Sequence, residues 1–347
     1  MQTPNVRYNE LAQPILIKHQ LITTYLFLLI CTFVYLNLDN DTKQFIKLRL
    51  ENNVPEVENL TPIELREMRA SMAAVPPEHQ VQIIHIKDIT IKSENRDLKL
   101  REYSNNNDDN QPLIIFFHGG GFVMGDLDSH DLLCRHLTKK SECKLISVDY
   151  SLAPEYKFPC SLEDSINAVN YIFENNKQIK FDQNKVLVCG DSAGGNLALI
   201  ISILSKEKKL PNIIGQILFY PWIDFTMSRP SMSINLNGLI VKKSTLDYFA
   251  DHYLNDNDDI TNWKISPLLY SDFYGMPITY IYGAGLDPLV DEGYALMKRL
   301  KSFENEVHYK VYEGQMHAFV SNIVSLPTSI DCINEASEAI KKIIQIN

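Results

Sequence analysis

The sequence is short of positive charge and of paired cysteines. Its 33 Lys and Arg residues are outnumbered by 43 Asp and Glu residues, which gives a formal net charge of −10 and leaves no electrostatic footprint for nucleic acid. None of its six cysteines forms a C-x-x-C pair or stands at zinc-ligand spacing from a histidine. We therefore expect free thiols, no metal site and no nucleic-acid partner.

What the sequence does contain is typical of a folded globular protein. Hydrophobic residues make up 45% of its 347 positions and charged residues 22%, as in ordinary globular chains. This length allows either one large α/β domain with a lid or two smaller domains. No internal repeat is evident, which argues against a repeat architecture.

A long apolar run lies near the N-terminus, at 21–38. It carries no charged residue, and a helix of that length just crosses a bilayer. Asp39-Asn40-Asp41 follows it instead of a small-x-small cleavage site, so a retained anchor is favoured over a cleaved signal. We predict that residues 1–40 are an extension that attaches the protein to a membrane. The alternative is a cytoplasmic protein in which this helix packs on the lid or on the partner subunit of a homodimer.

From residue 81 onward, strand patterns alternate with helix patterns. Two antiparallel strands come first, and the continuous apolar run LIIFF at 113–117 is typical of a strand buried on both faces. The alternation then continues to the C-terminus, which predicts a mainly parallel sheet covered by helices on both faces. Strands are predicted at 81–92, 98–103, 113–117, 144–148, 185–189, 214–220, 278–282 and 307–312, and helices at 129–140, 162–175, 193–206, 242–253, 291–303 and 328–344.

One segment interrupts this alternation. About 55 residues separate the strands at 214–220 and 278–282, far more than an ordinary connection contains. An insertion of this size above the carboxyl edge of a sheet is typical of a lid. Four apolar residues in or after it are candidates for lining a substrate pocket, with plain core packing as the alternative: Trp222, Phe225, Leu239 and Phe319.

A serine stands at a sharp predicted turn. The strand at 185–189 leads into GDSAG at 190–194, and a helix pattern follows. A serine in such a strand–turn–helix holds a strained backbone conformation with its hydroxyl exposed, and glycines around it avoid steric clashes. Alone, the pentapeptide fits a glycine-rich turn of any α/β protein equally well. Ser192 becomes a candidate nucleophile because of the residues that accompany it.

Ester hydrolysis by a serine also needs a base and a group that orients the base. His317 follows the last predicted strand, and no other histidine combines a loop after a strand with so late a position. Asp287 follows the preceding strand and comes before a proline, which favours an extended loop. Asp291 lies in the first turn of the next helix, where it suits the helix dipole. We predict Ser192 as nucleophile, His317 as base and Asp287 as the orienting acid.

Backbone donors for the developing oxyanion are predicted from two places. The run HGGGF at 118–122 follows a buried strand, and its glycines let the N–H groups of Gly119 and Gly120 approach a substrate. The N–H of Ala193 is the third predicted donor, at the start of a helix whose dipole also favours an anion. We interpret His118 as a residue that shapes this loop.

These motifs, together with DYSLAPE at 149–155 and DPLVDEG at 287–293, resemble those of the hormone-sensitive-lipase family of α/β-hydrolases. That family includes bacterial carboxylesterases and arylacetamide-deacetylase-like enzymes, and the resemblance covers most of the chain after the N-terminal extension. It implies an α/β-hydrolase domain over 41–347, with a lid from 41–75 and 225–265. It also implies a serine hydrolase that uses no metal and no organic cofactor.

Two departures from the family pattern are visible. Ser151 stands where the family usually has arginine, a change expected to remove a structural ion pair without touching the chemistry. Residues 1–40 extend beyond typical bacterial members and resemble the N-terminal anchor of the deacetylase-like members. This resemblance of residues 1–40 to an anchor supports the prediction of membrane attachment.

The resemblance and the three candidate residues favour one activity. We expect a serine carboxylesterase that hydrolyses short- to medium-chain acyl esters through an acyl-enzyme on Ser192, with a small acyl ester as its partner. An amidase or deacetylase would use the same triad, so the sequence leaves that alternative open. A non-catalytic receptor of the same fold is the weaker alternative, because Ser192, Asp287 and His317 are all present.

Overall fold

Residues 38–72, 75–93 and 96–346 are described by the structure, which is a computed structural model. The predicted membrane segment at 21–38 lies outside these residues, except for Leu38. Within them, no helix is long and apolar enough to cross a bilayer. Attachment to a membrane therefore stays a prediction.

An eight-stranded sheet forms the centre of the molecule. Its strands are β1 His85–Lys92, β2 Asp97–Ser104, β3 Leu113–Phe117, β4 Lys144–Asp149, β5 Val186–Asp191, β6 Gly215–Phe219, β7 Ile278–Leu286 and β8 Val307–Met316. They lie in the order β1-β2-β4-β3-β5-β6-β7-β8. β2 pairs antiparallel with β1 and β4, and all other neighbours are parallel. The predicted mainly parallel sheet is confirmed.

Helices cover both faces of this sheet. The described helices are α1 Asn40–Glu51, α2 Pro62–Ser71, α3 Asp131–Ser141, α4 Cys160–Glu174, α5 Asn176–Ile179, α6 Ala193–Lys206, α7 Lys243–Tyr253, α8 Val290–Ser302 and α9 Ser329–Ile346. Successive residues of β3 face opposite sides, as strand geometry requires. Leu113, Ile115 and Phe117 belong to the core cluster that includes α4, α6 and α8. Ile114 and Phe116 belong to the cluster that includes α3 and α9.

The last two strands are longer than the sequence predicts. β7 continues to Leu286 and β8 to Met316, past Tyr282 and Tyr312, where the predicted strands end. A β-bulge realigns the two strands so that Leu286 and Met316 pair. Gly285 permits the close approach, because a Cβ there would lie 2.3 Å from a carbonyl oxygen of β8. As a result, Asp287 and His317 directly follow the ends of neighbouring strands.

Two segments lie above the carboxyl ends of the parallel strands, and we call them the roof: residues 38–72 and 240–253. They are bonded to each other, since Glu58 of the first accepts hydrogen bonds from the hydroxyls of Ser244 and Thr245 at 2.6 and 3.1 Å. Both segments fall almost entirely within the regions expected to form a lid. That they open and close as a lid stays a prediction.

Arg66 fastens α2 of the roof to the body of the molecule. Its Nε donates to the carbonyl oxygen of Val123 at 2.8 Å, and its two terminal nitrogens donate to the carboxylate of Glu155 at 2.8 and 2.7 Å. Thr61 and Glu64 form a capping box at the start of the same helix. The helix is therefore fixed at its first turn and along one face.

An ion pair is present near Ser151 although the family's usual arginine is absent there. Arg96, which precedes β2, lies 3.5 Å from the carboxylate of Asp149 and 3.9 Å from that of Asp164. Its Nε donates to Ser151 Oγ at 3.0 Å. A guanidinium from another part of the chain thus pairs with carboxylates near Ser151.

Candidate active site

Ser192 lies at the turn between β5 and α6 in a strained backbone conformation. Its φ and ψ angles are 54° and −118°, a region that side-chain-bearing residues rarely adopt. Small neighbours are required at this turn. A Cβ at Gly190 would lie 2.3 Å from the carbonyl oxygen of Gly194, and a Cβ at Gly194 would lie 2.0 Å from that of Phe117. The turn places Ser192 at the base of a cavity above the sheet.

The structure brings Ser192, His317 and Asp287 together in one hydrogen-bonded series. His317 Nε2 lies 2.8 Å from Ser192 Oγ, and His317 Nδ1 lies 2.7 Å from Asp287 Oδ2. The other carboxylate oxygen of Asp287 accepts the backbone N–H of Leu289 at 2.9 Å. All three side chains are buried. Because Asp287 accepts from Nδ1–H, the Nε2 atom of His317 is free to accept the hydroxyl proton of Ser192.

One of the three predicted oxyanion donors is already occupied. The N–H of Gly119 donates to Asp191 Oδ1 at 2.8 Å, so the prediction for Gly119 is wrong. Gly120 and Gly121 have φ angles of 125° and 61° and line the cavity. In the described loops, neither N–H donates to another protein group. Together with the N–H of Ala193 at the start of α6, these are the donors that the geometry leaves available.

Asp191 and His130 hold the glycine loop in place, and sequence reasoning missed both. His130 Nε2 lies 3.3 Å from Asp191 Oδ1, the atom that also accepts the Gly119 N–H. Burial opposes ionisation of Asp191, yet His130 and the Gly119 N–H hold the pKa of its carboxyl below the ordinary value. The carboxylate before the nucleophile therefore anchors the loop that carries the donors. The position of Asp191 in the GDSAG pentapeptide was the only sequence feature that could have indicated this role.

His118 has the surroundings expected of a residue that shapes its loop. Its ring stacks on Tyr150 with centres 4.2 Å apart, and Tyr150 Oη donates to the His118 carbonyl oxygen at 2.6 Å. Burial lowers the pKa of His118 to about 4, so the ring is neutral at pH 7. A histidine enclosed in this way fixes the backbone immediately before the glycines.

Comparison with known proteins agrees with this geometry. A family model described as the α/β hydrolase fold matches residues 114–321. The chain belongs to this family. A carboxylic ester hydrolase of Mycobacterium tuberculosis, LipN, is 34% identical to this α/β hydrolase over 261 residues, which cover 73% of this chain and 69% of LipN. An arylesterase of Saccharolobus solfataricus is 31% identical over 288 residues, which cover 82% of this chain and 93% of the arylesterase.

A solved esterase structure is similar over nearly its whole length. The hyperthermophilic esterase of the archaeon Pyrobaculum calidifontis superposes on this α/β hydrolase with a TM-score of 0.83 at 28% identity, covering 88% of this chain and 98% of that chain. The predicted α/β-hydrolase fold is therefore confirmed. The predicted place of the chain among the ester hydrolases of this family is confirmed as well.

The α/β hydrolase has a cavity of about 280 Å³ between Ser192 and the roof. Its floor contains Ser192, His317 and the glycine loop. Most of its remaining wall is apolar and comes from the roof and from the loop after His317. Apolar wall residues include Leu65, Met68, Val241, Phe249 and Ile323.

The four candidates for lining the pocket do not line it. Trp222, Phe225, Leu239 and Phe319 are all buried and are absent from the cavity wall. The rings of Trp222 and Phe225 stack on each other with centres 4.0 Å apart. Core packing, the alternative for these residues, is what the structure shows, because the aromatic side chains fill space beneath the roof.

Glu292 of α8 bonds to the segment after β6, a contact that no sequence pattern indicated. Its Oε2 accepts the backbone N–H groups of Ile223 and Asp224 at 2.6 and 2.9 Å. Burial raises the pKa of this carboxyl well above its usual range. Through these two hydrogen bonds, Glu292 joins α8 to the segment after β6.

No group of three or more His, Cys, Asp and Glu side chains in the described part of the chain could hold a metal ion. The five described cysteines are free thiols. Burial raises the pKa of Cys189 and Cys332 well above the ordinary value. These two thiols are therefore protonated and unreactive at neutral pH.

Proposed function

We propose that this α/β hydrolase is a serine carboxylesterase that cleaves short- to medium-chain acyl esters through an acyl-enzyme on Ser192. One observation carries the proposal: an unbroken series of hydrogen bonds runs from Asp287 through His317 to a strained serine at the base of a small cavity. This is the arrangement that activates a hydroxyl group for attack on a carbonyl carbon.

In the proposed first step, Ser192 Oγ attacks the ester carbonyl while His317 Nε2 takes its proton. Asp287 stabilises the resulting imidazolium. The N–H groups of Gly120, Gly121 and Ala193 donate to the oxyanion of the tetrahedral intermediate. Collapse of this intermediate releases the alcohol, which receives its proton from His317, and leaves the acyl group on the serine.

In the proposed second step, water attacks the acyl-enzyme. His317 takes a proton from the water, and the same backbone donors hold the second oxyanion. The acid then leaves and Ser192 regains its proton. A cavity of about 280 Å³ lies at the lower end of the sizes that ligand pockets have, which supports small acyl groups as substrates.

Replacement of the nucleophile tests this proposal. We expect Ser192→Ala to lower kcat/KM for p-nitrophenyl butyrate by at least about 10³-fold, with an unchanged melting temperature. A fluorophosphonate probe should label the wild-type protein and not the variant. Full activity of the purified variant would contradict the assignment. A wild-type protein that is neither labelled nor active would favour the receptor alternative.

The amidase alternative is tested with matched substrates. Phenyl acetate and acetanilide carry the same acyl group on an oxygen and on a nitrogen. We expect the ester to have the higher kcat/KM, because the similar proteins are named esterases and ester hydrolases. A higher value for acetanilide would replace the esterase proposal with an amidase of the same triad.

For location, we propose that the protein is attached to a membrane through residues 21–38. The support is the uncharged apolar sequence of this segment. Carbonate extraction of membranes from cells that express the full chain is the test. The protein should remain in the pellet, and its complete release would favour the cytoplasmic alternative.

Light scattering of the purified protein tests whether it forms the homodimer named above as a possibility.

A further inference from the structure

We infer that Arg69 and Arg49 bind an anionic group of the substrate, so that this enzyme prefers esters bearing a carboxylate over neutral esters of equal size. The inference rests on the proposed esterase function. Both arginines line the cavity that contains Ser192 and His317. Arg49 lies on α1 and Arg69 on α2, so the two guanidinium groups come from adjacent segments of the roof.

Arg69 lies close to the reacting groups. Its charge interacts with Asp191, the residue before the nucleophile, and with Tyr220. The Tyr220 ring is in turn centred 4.7 Å from the ring of His317. A substrate positioned for attack by Ser192 is therefore within the field of this guanidinium group.

Neither arginine forms an ion pair with an acidic side chain among the described residues. The side-chain hydrogen bond of Arg69 goes to a neutral amide, Asn322 Oδ1, at 3.1 Å. The Nε atom of Arg49 is buried and has no hydrogen-bond partner. The nearby Glu56 is bonded to Lys242 instead, at 3.2 Å. A guanidinium group that lines a cavity without forming an ion pair is a group that an anionic ligand would satisfy.

The acidic residues of the cavity wall are already engaged. Asp191 accepts the Gly119 N–H, and its Oδ1 lies 3.3 Å from His130 Nε2. Asp128 is bonded to Arg101 at 2.7 Å, and its side chain is largely exposed. Neither carboxylate therefore forms an ion pair with Arg49 or Arg69, although Asp191 and Asp126 act on the charge of Arg69 and Glu56 acts on that of Arg49.

Burial lowers the pKa of both guanidinium groups, which is the direction expected when a charge is desolvated without full compensation. An arginine nevertheless stays protonated at any physiological pH. The positive charge is therefore retained in the folded protein at a cost in free energy. A bound carboxylate would offset this cost through bidentate, charge-assisted hydrogen bonds.

Two substrate pairs test this inference and identify the side of the ester that carries the charge. p-Nitrophenyl hemisuccinate and p-nitrophenyl butyrate differ by a carboxylate on the acyl side. 4-Acetoxybenzoate and phenyl acetate differ by a carboxylate on the alcohol side. We expect the wild-type enzyme to show a kcat/KM at least about tenfold higher for the anionic member of one pair. A preference for the neutral member of both pairs would overturn the inference.

Substitution of the arginines tests whether they cause the preference for anionic esters. Arg69→Met and Arg49→Met should each lower the anionic-to-neutral ratio of kcat/KM by about tenfold, mainly through KM for the anionic ester. Arg69→Lys should restore part of the ratio and provides a second variant if Arg69→Met does not fold. Lys47→Met is the matched control, since this exposed lysine lies on α1 outside the cavity, and its ratio should equal that of the wild type. Equal ratios in the arginine variants would also overturn the inference.

The outcome separates this inference from the proposed function. Hydrolysis of the neutral esters and labelling by the fluorophosphonate probe establish the esterase without any reference to Arg69 or Arg49. If both are observed and no charge preference is found, the inference alone fails. If neither ester is hydrolysed and no label is incorporated, the proposed function itself fails.

Discussion

The floor and the roof of the cavity are built in different ways. On the floor, Ser192, Asp287 and His317 are buried, and each is bonded to a neighbouring group at 2.7 to 2.9 Å. In the roof, Arg49 and Arg69 are half-buried and form no ion pair with an acidic side chain within the described residues. A site that must hold reacting atoms in place needs saturated contacts. A site that selects substrates needs donors that remain unsatisfied until the substrate binds.

This difference between floor and roof predicts that substitutions on the floor lower kcat. We expect the largest decrease for Asp287→Asn. Asn has nearly the same shape and can still accept the Leu289 N–H, but its amide cannot stabilise a charged His317. We expect kcat to fall by about 10³- to 10⁴-fold with little change in melting temperature. Asp291→Asn, four residues further along, should stay within about threefold of the wild type. A larger loss in the Asp291 variant would reverse the two assignments.

A change that detaches the roof should act on KM and stability instead. Arg66→Met removes the hydrogen bonds from α2 to Val123 and Glu155. We expect a decrease of about 1 to 3 kcal/mol in the free energy of unfolding and a higher KM, with kcat within about threefold. Glu155→Gln is the matched variant, because it weakens only the half-exposed ion pair and should cost less than about 1 kcal/mol. A fall in kcat as large as that of Asp287→Asn would show that contacts of the roof also determine the rate of the chemical steps.

The last prediction concerns Glu292, the bridge between α8 and the segment after β6, and depends on pH. The folded pKa of Glu292 lies above its unfolded value near 4.5, so the folded chain retains a proton that the unfolded chain releases as pH rises above that value. Its contribution to stability is complete at lower pH and is lost with increasing pH, by at most about 1.4 kcal/mol per pH unit. Glu292→Gln should flatten this decline between about pH 5 and 8. Denaturant unfolding across this range measures it, with exposed Glu78→Gln as the control.

The sequence allowed the floor to be predicted far better than the roof. Ser192, Asp287 and His317 each follow a strand, and the carboxyl ends of parallel strands meet at one edge of a sheet, so local patterns were sufficient to bring them together. Gly119 was assigned wrongly because its N–H bonds to Asp191, 72 residues further along the chain. A contact over that distance leaves no local pattern.

The prediction of the residues around the cavity failed for a related reason. Trp222 and Phe225 were candidates for lining the pocket, with core packing as the alternative, and they stack in the core. Hydrophobicity indicates that a side chain will be buried but does not indicate whether it faces a cavity or fills the interior. The arginines of the roof had no motif at all, and only their lack of ion pairs in the described fold draws attention to them.

The bond between Asp191 and Gly119 also affects how the site responds to thermal motion. β3 and β5 are adjacent and aligned, with Phe117 paired to Gly190, so the attacking oxygen and its backbone donors move together when either strand shifts. His317 follows β8, three strands away from β5. The hydrogen bond between His317 and Ser192 therefore joins residues that follow strands that are not neighbours. We expect heating to break this hydrogen bond before it separates the serine from its backbone donors.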